Sequence, residues 1–351
     1  MQRQMKPEDD CEHPAGERLA ERRSRRRTLL RLFALPAALA AAPALVRAQL
    51  GGGSTSGPPI RILVGAPPGG STDTLAREIA PEMGRQLGGR VVIVENKSGA
   101  GGNLAADAVA KAAPDGNTLL LSFTSHTINA TLYPKLPFDP VADFTPLTMV
   151  ATSPSLLVAH PSLPAANVRE LIAYAKTRPG QLSFAIGGIG SSLHLAGEAF
   201  KLRSGLFIVN IPYRGTAPAI ADVLAGNVPL MFAAVGNARS LVAAGRLKAL
   251  GVTSARRLPQ LPDVPAIAET LPGFESSAWF GLFGPAKMAP DLVKRVSDAA
   301  RAAIGTDARR RRIEADGGTP VGNTPQEFAA FVRADVPRWA QLVRYSGAKP
   351  E

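Results

Sequence analysis

Residues Arg61–Ala80, RILVGAPPGGSTDTLAREIA, pass from an apolar run through a loop of small residues into a helical pattern. Leu75, Ile79, Met83 and Leu87 recur every four residues and so stack on one face of that helix. A buried strand that ends in Pro-Pro-Gly-Gly-Ser-Thr-Asp and feeds a helix is the repeating unit of an α/β protein with largely parallel sheets. The pattern continues along the chain. IRILVGA, RVVIVEN, NTLLLSF, LSFAI, LFIVNI, VPLMFAA and LKALGVT read as strands, with helical segments between them. In NVRELIAYAKTRPG, Asn167 is the expected N-cap, Leu171, Ile172 and Ala175 form the apolar face, and Pro179-Gly180 ends the helix.

The 351-residue chain is longer than one core usually serves, so two lobes are expected. One crossing between them falls in SPSLLVAHPSLPAANVREL, where a strand is followed by a proline-bracketed turn and a new helix start. A second falls in the aromatic segment GFESSAWFGLFGPAKMAPD. The chain then builds lobe 1 from residues 60–158 and 280–351 and lobe 2 from 159–279, with a hinge and a cleft between them. The helical C-terminus, TPQEFAAFVRADVPRWAQLVRYSG, completes lobe 1.

Residues 1–48 read as an export signal. A basic block (Arg22, Arg23, Arg25, Arg26, Arg27) precedes the mildly apolar run LFALPAALAAA, which is too short to span a bilayer. RRTLLR fits the twin-arginine pattern, and VRAQ offers cleavage before Gln49. Residues 49–59, rich in Gly and Ser, read as a flexible linker. The lone cysteine, Cys11, lies ahead of the apolar run, so the mature chain carries no disulfide, thiolate nucleophile or Cys-ligated metal. The formal charge is +12; the ten basic and six acidic residues of the first 48 leave +8 on the mature chain. That surface favours anionic ligands by steering. Nucleic acid is not expected, because the densest basic cluster, ARRRRIEADG, reads as one solvated helix end without interleaved aromatics.

Three strand–loop–helix units share the design of the opening stretch: LVGAPPGGSTDTLARE, FAIGGIGSSLHLAGEAF and VNIPYRGTAPAIADVLAG. Small residues let a ligand approach the backbone, and free N–H groups at a helix start bind carboxylate or phosphate without a lysine or arginine. Neither SGAGGNLAADAVA nor GGIGSSL is a dinucleotide fingerprint, since Leu104 and Leu193 stand where a third glycine belongs. Ser191, His194 and Glu198 succeed one another at helical-turn spacing and pose a hydrolase alternative. Adjacent side chains on one helix, however, rarely reach the in-line geometry that a nucleophile and its base require. No HxxxH-type pair offers a zinc site, and no cofactor is expected.

PPGGSTDTLAR, VENKSGAGGNLAADAVAKAAPDGNTLL, LPFDPVADFTPL, GIGSSLHLAGE, IPYRGTAPAIADVLAGNV, ALGVTSARRLPQLPDVPAIAE and GFESSAWFGLFGPA follow one another between about Ile60 and Gly347. With these motifs in that order the chain resembles the Bug family, periplasmic receptors of tripartite tricarboxylate transporters. The resemblance implies a two-lobed periplasmic-binding-protein (Venus-flytrap) fold that captures a small carboxylate without chemistry, as a mono-, di- or tricarboxylic acid or acidic amino acid. It implies ligand contacts from Pro68, Gly69, Gly70, Ser71, Thr72 and Asp73, helped by Gly187, Gly190, Ser191 and Ser192 and by Tyr213, Thr216 and Ala217. Thr124, Ser125 and Asp222 are further expected cleft residues. The implied setting is a periplasmic monomer partnered by membrane permease subunits or, alternatively, by a signalling system. Lys97-Ser98, and Ala233-Ala234 in a segment that often carries an acid, depart from the family pattern.

Overall fold

Every apolar run expected to be a strand forms one in the computed structural model, which describes residues 57–350. The export signal, its cleavage site and the first part of the linker lie outside the described residues. The first half of the chain comprises β1 (Ile60–Val64), α1 (Ser71–Gln86), β2 (Val92–Asn96), α2 (Asn103–Ala110), β3 (Thr118–Phe123), α3 (Ser125–Leu132) and β4 (Phe144–Ala159). Next come α4 (Val168–Lys176), β5 (Ser183–Ile186), α5 (Ser192–Ser204), β6 (Val209–Pro212), α6 (Thr216–Leu224), β7 (Leu230–Ala234), α7 (Val235–Ala243) and β8 (Lys248–Val252). The chain closes with β9 (Ser277–Pro285), α8 (Pro290–Gly305), α9 (Asp307–Ala315), β10 (Thr319–Pro320) and α10 (Pro325–Ser346).

The strands join in the order β2-β1-β3-β9-β4-β7-β5-β6, with β8 and β10 also paired to β4. Pairing is parallel at the two ends, where β1 joins β2 and β3, and β5 joins β6 and β7. It is antiparallel through the middle, where β9 pairs with β3 and β4, and β4 pairs with β7 and β8. The expectation of largely parallel sheets therefore holds only for each lobe's strand–helix units. Strands that travel between lobes return against their neighbours and cannot form right-handed parallel crossovers.

Both faces of each half are covered, which explains the continuous apolar runs. Ile62, Leu119 and Leu121 meet Leu75 and Ile79 of α1 and Val296 and Ala300 of α8. Their neighbours Leu63 and Leu120 point the other way, against Ala105 of α2 and Phe328 of α10. In the second half Phe184 and Phe232 pack with Leu171 of α4 and Phe200 of α5. Ala185 and Met231 pack with Ala219 of α6 and Ala238 of α7. A further cluster joins the halves directly: Ile128 and Leu132 of α3, Leu195 of α5, and Trp339 and Leu342 of α10. Among the described residues no helix is long and apolar enough to cross a membrane.

The expected helix limits hold where local chemistry sets them. Asn167 caps α4 by accepting the Glu170 N–H at 3.0 Å. Thr324 and Glu327 form a capping box at α10. His126, by contrast, is a core histidine. Its ring lies 4.8 Å from the rings of both Phe144 and Phe283, and Nε2 donates to the Pro140 carbonyl at 2.8 Å.

Burial pushes the His126 imidazole down to about 4, against the opposing effect of the Pro140 bond. The folded protein thus holds this ring neutral down to a lower pH than the unfolded chain, where histidine titrates near 6.5. Its contribution is complete above the unfolded value and is lost as pH falls through the folded one, a loss of roughly 3 kcal/mol. We expect His126→Phe to flatten the unfolding free energy between these two pH values. Equal slopes for wild type and variant in denaturant titrations would refute this.

Candidate functional site

The loop from β1 to α1 is held by a buried carboxylate. Asp73 Oδ2 accepts the Gly69 N–H at 2.9 Å, and Arg77 Nε lies 3.0 Å from both Asp73 oxygens. Asn96, at the end of β2, donates through Nδ2 to Asp73 Oδ1 at 2.9 Å and to the Ala66 carbonyl at 3.0 Å. The Arg77 guanidinium holds the Asp73 carboxyl down to about 2, outweighing burial and helped by the Gly69 and Asn96 bonds. Gly69 adopts φ 81°, the left-handed region that glycine enters without strain, and the space where its Cβ would stand is open.

Gly70 is the N-cap of α1 and offers no side chain to its first N–H groups. Ala234, the N-cap of α7, offers none either. Both helix starts line one cavity of about 320 Å³: Gly69, Ser71 and Thr74 on one side, and Ala234, Gly236 and Asn237 on the other. Thr152 and Ser153 of β4 complete the lining between them. Arg312 and Asp316, at the C-terminal end of α9, and Glu78 of α1 also border the cavity. Arg312 Nε lies 3.6 Å from Glu78 and 3.4 Å from Asp316, so its charge is already answered by two acids.

Of the expected contact residues, Gly69 and Ser71 line this cavity, with Pro68 and Gly70 beside them in the same loop. Thr72 and Asp73 are buried beneath it. Thr124 is buried too, and its Oγ1 accepts the Trp279 N–H at 2.9 Å; Ser125 opens α3. The lobe 2 loops lie against each other. A Cβ on Gly187 would stand 2.9 Å from the Thr216 backbone, and Ala217 is exposed in the first turn of α6. The Gly190 N–H is taken by His194 Nδ1 at 3.0 Å, and Ser192 opens α5. Tyr213 donates to Asp222 Oδ2, and Asn227 donates to Asp222 Oδ1 at 3.0 Å. This pairing pushes the phenol up to about 12 and holds the Asp222 carboxyl low.

Sequence reading missed Thr152, Ser153, Gly236 and Asn237. The signal was present in FAAVGN, a fourth strand that runs straight into a helix, and in the small polar pair of the otherwise apolar VATSPSLLV. The hydrolase arrangement is not assembled. Ser191 Oγ donates to the Gly188 carbonyl at 2.8 Å and accepts the His194 backbone N–H at 3.2 Å, while the His194 ring faces Gly190, Asn210 and Glu198. Ser191 is a helix cap, without a base on its hydroxyl.

A family model described as the tripartite tricarboxylate transporter family receptor matches residues 75–347. BugT of Bordetella pertussis is 38% identical over 294 residues, covering 83% of this chain and 90% of BugT. An R. palustris protein solved with adipate matches with a TM-score of 0.71 at 34% identity, over 83% of this chain and 98% of that one. MatC from Rhodopseudomonas palustris, solved with bound malate, matches with a TM-score of 0.68 at 33% identity, over 81% and 98%. The two-lobed α/β fold is the fold of these substrate-binding receptors, which are not enzymes.

Because the folded Asp73 value lies below the ordinary one of 3.8, its stabilisation is present above that pH and is lost as pH falls toward about 2. Arg77 is half exposed, so solvent screens the pair, and Asp73→Ala should cost about 1–2 kcal/mol at neutral pH. The deficit should shrink when unfolding is measured at pH 2. A deficit independent of pH would show that the carboxylate charge is not what holds the loop.

Proposed function

The chain belongs to the tripartite tricarboxylate transporter receptor family, and from that premise we propose that it is a periplasmic receptor whose two lobes close on a small carboxylate. The carrying observation is that α1 and α7, from opposite sides of one cavity, both begin without a side-chain cap. Each helix start offers N–H donors and roughly half a positive charge, the complement of a carboxylate. The relatives solved with adipate and malate support this ligand class.

In this reading the backbone of the Pro68–Asp73 loop, held from beneath by the Asp73 side chain, grips the carboxylate from lobe 1, and Ala234–Asn237 faces it from lobe 2. The loops Gly187–Ser192 and Tyr213–Ala217, with Thr124, Ser125 and Asp222, shape the remainder of the cleft. Lobe 1 takes residues 60–158 and 280–351 and lobe 2 takes 159–279, with the hinge in β4 and β9. The mature monomer is exported, and membrane permease subunits recognise its closed form.

The test is a thermal-shift screen of ligand-stripped protein against mono-, di- and tricarboxylates and acidic amino acids. A true ligand at a thousand times its dissociation constant adds roughly 4 kcal/mol, several degrees in Tm. Ser71→Asp separates site from scaffold, since an acid in the first turn of α1 should stabilise by about 0.3–1 kcal/mol. The same acid should weaken binding roughly tenfold or more by occupying the anion position. Absence of any shift in folded, empty protein, or full affinity in Ser71→Asp, would overturn the helix-start assignment.

A further inference from the structure

We infer that His194 is a positioning residue for the lobe 2 face of the cleft: its imidazole holds the Gly187–Ser191 loop through Gly190 and is itself held by Glu198, which Asn210 anchors in turn. The inference rests on the carboxylate-receptor reading above for its consequence in binding, and on hydrogen bonds alone for its geometry.

His194 and Glu198 are 3% and 2% exposed, so their polar atoms must be answered within the protein. Nδ1 accepts the Gly190 N–H at 3.0 Å and therefore carries no proton. The ring proton of the neutral imidazole is then on Nε2, which lies 3.4 Å from Glu198 Oε1. That oxygen also receives Asn210 Nδ2 at 2.6 Å and Lys201 Nζ at 2.6 Å. Burial pushes the Glu198 carboxyl up, but the bonds from His194, Asn210 and Lys201 prevail and bring it down to about 2. The anion thus fixes the tautomer that leaves Nδ1 free to accept.

The cluster reaches both lobe 2 loops. The His194 backbone N–H is bound by Ser191 Oγ, which in turn donates to Gly188, so one residue secures two further points of the loop. Asn210 stands on β6, which leads into Tyr213, and the Tyr213 N–H is bound to the Ile186 carbonyl at 2.9 Å. Gly190 has φ 73°, and a Cβ there would stand 2.5 Å from Leu132 of α3. The peptide that His194 holds is therefore also the point where the lobe 2 loop meets lobe 1. A buried ionic cluster adds little stability over an apolar one of equal volume. What it supplies at this place is a directed acceptor for one loop N–H, and no apolar side chain provides that.

Two near-isosteric variants separate the roles of the ring nitrogens. In His194→Asn the amide oxygen can take the place of Nδ1 and still accept the Gly190 N–H; in His194→Gln the polar end reaches the place of Nε2 and leaves that N–H unpaired. Adipate, malate and citrate serve as calorimetric probes, with amide hydrogen exchange of Gly190 as a readout that needs no ligand. We expect His194→Gln to weaken binding about tenfold or more and to speed Gly190 exchange, while His194→Asn stays within about threefold of wild type. Equal effects of the two variants, or none from either, would overturn the inference. If the wild type binds no probe, the receptor reading fails and Gly190 exchange alone decides the role of His194. Should the variants not fold, ring nitrogen shifts of wild-type His194 decide it, and a proton on Nδ1 refutes the assignment.

Discussion

One strand constrains everything else in this molecule. The sixteen residues of β4 pair with β9 along Phe144–Pro154 and with β7 along Ser155–Ala159, so a single backbone belongs to the ladders of both lobes. The change of partner falls at Pro154, a residue without an N–H to offer a ladder. Parts of the sheet joined in this way cannot slide apart without breaking backbone hydrogen bonds. Thr152 and Ser153, immediately before the change, lie in the cavity between the starts of α1 and α7.

Three of the helix starts carry a side-chain cap. Those of α4, α5 and α10 are closed by Asn167, Ser191 and Thr324, each accepting a backbone N–H. Those of α1 and α7 have no side-chain cap, in common with α2, α3, α6, α8 and α9, and both border the cavity. The polar networks lie one layer deeper. Asp73 holds the β1–α1 loop by one N–H, and His194 holds the β5–α5 loop by another. In each half of the sheet a buried polar side chain thus fixes a loop of small residues.

The small residues themselves proved to serve two purposes that the sequence does not separate. Gly69 enters a left-handed turn and leaves open space beside the cavity. Gly65 and Gly187 instead let backbones touch: a Cβ on Gly65 would stand 2.6 Å from Gly102, and one on Gly187 would stand 2.9 Å from Thr216. Read in the chain, PPGGSTD and IGGIG look alike. In space, one borders the cavity and the other is packed against its neighbouring loop.

Strands, helix limits, lobe count and the buried face of α1 were legible because they depend on near neighbours. Continuous apolar runs bounded by turn residues, period-four burial in α1, Asn167 before VREL and Pro-Gly after YAKTR act within a few residues of themselves. The motif order that marks the receptor family is legible for the same reason. What only the tertiary structure decided is direction and partnership. The register of β4 against β7 places Ser155 beside Ala234 and so brings Asn237 near Ser71, more than 150 residues away in sequence. Folding likewise turned Asp73 inward onto Gly69 and the His194 ring away from the Ser191 hydroxyl. Such pairings are set by which backbones share a sheet, a long-range choice that local pattern does not encode.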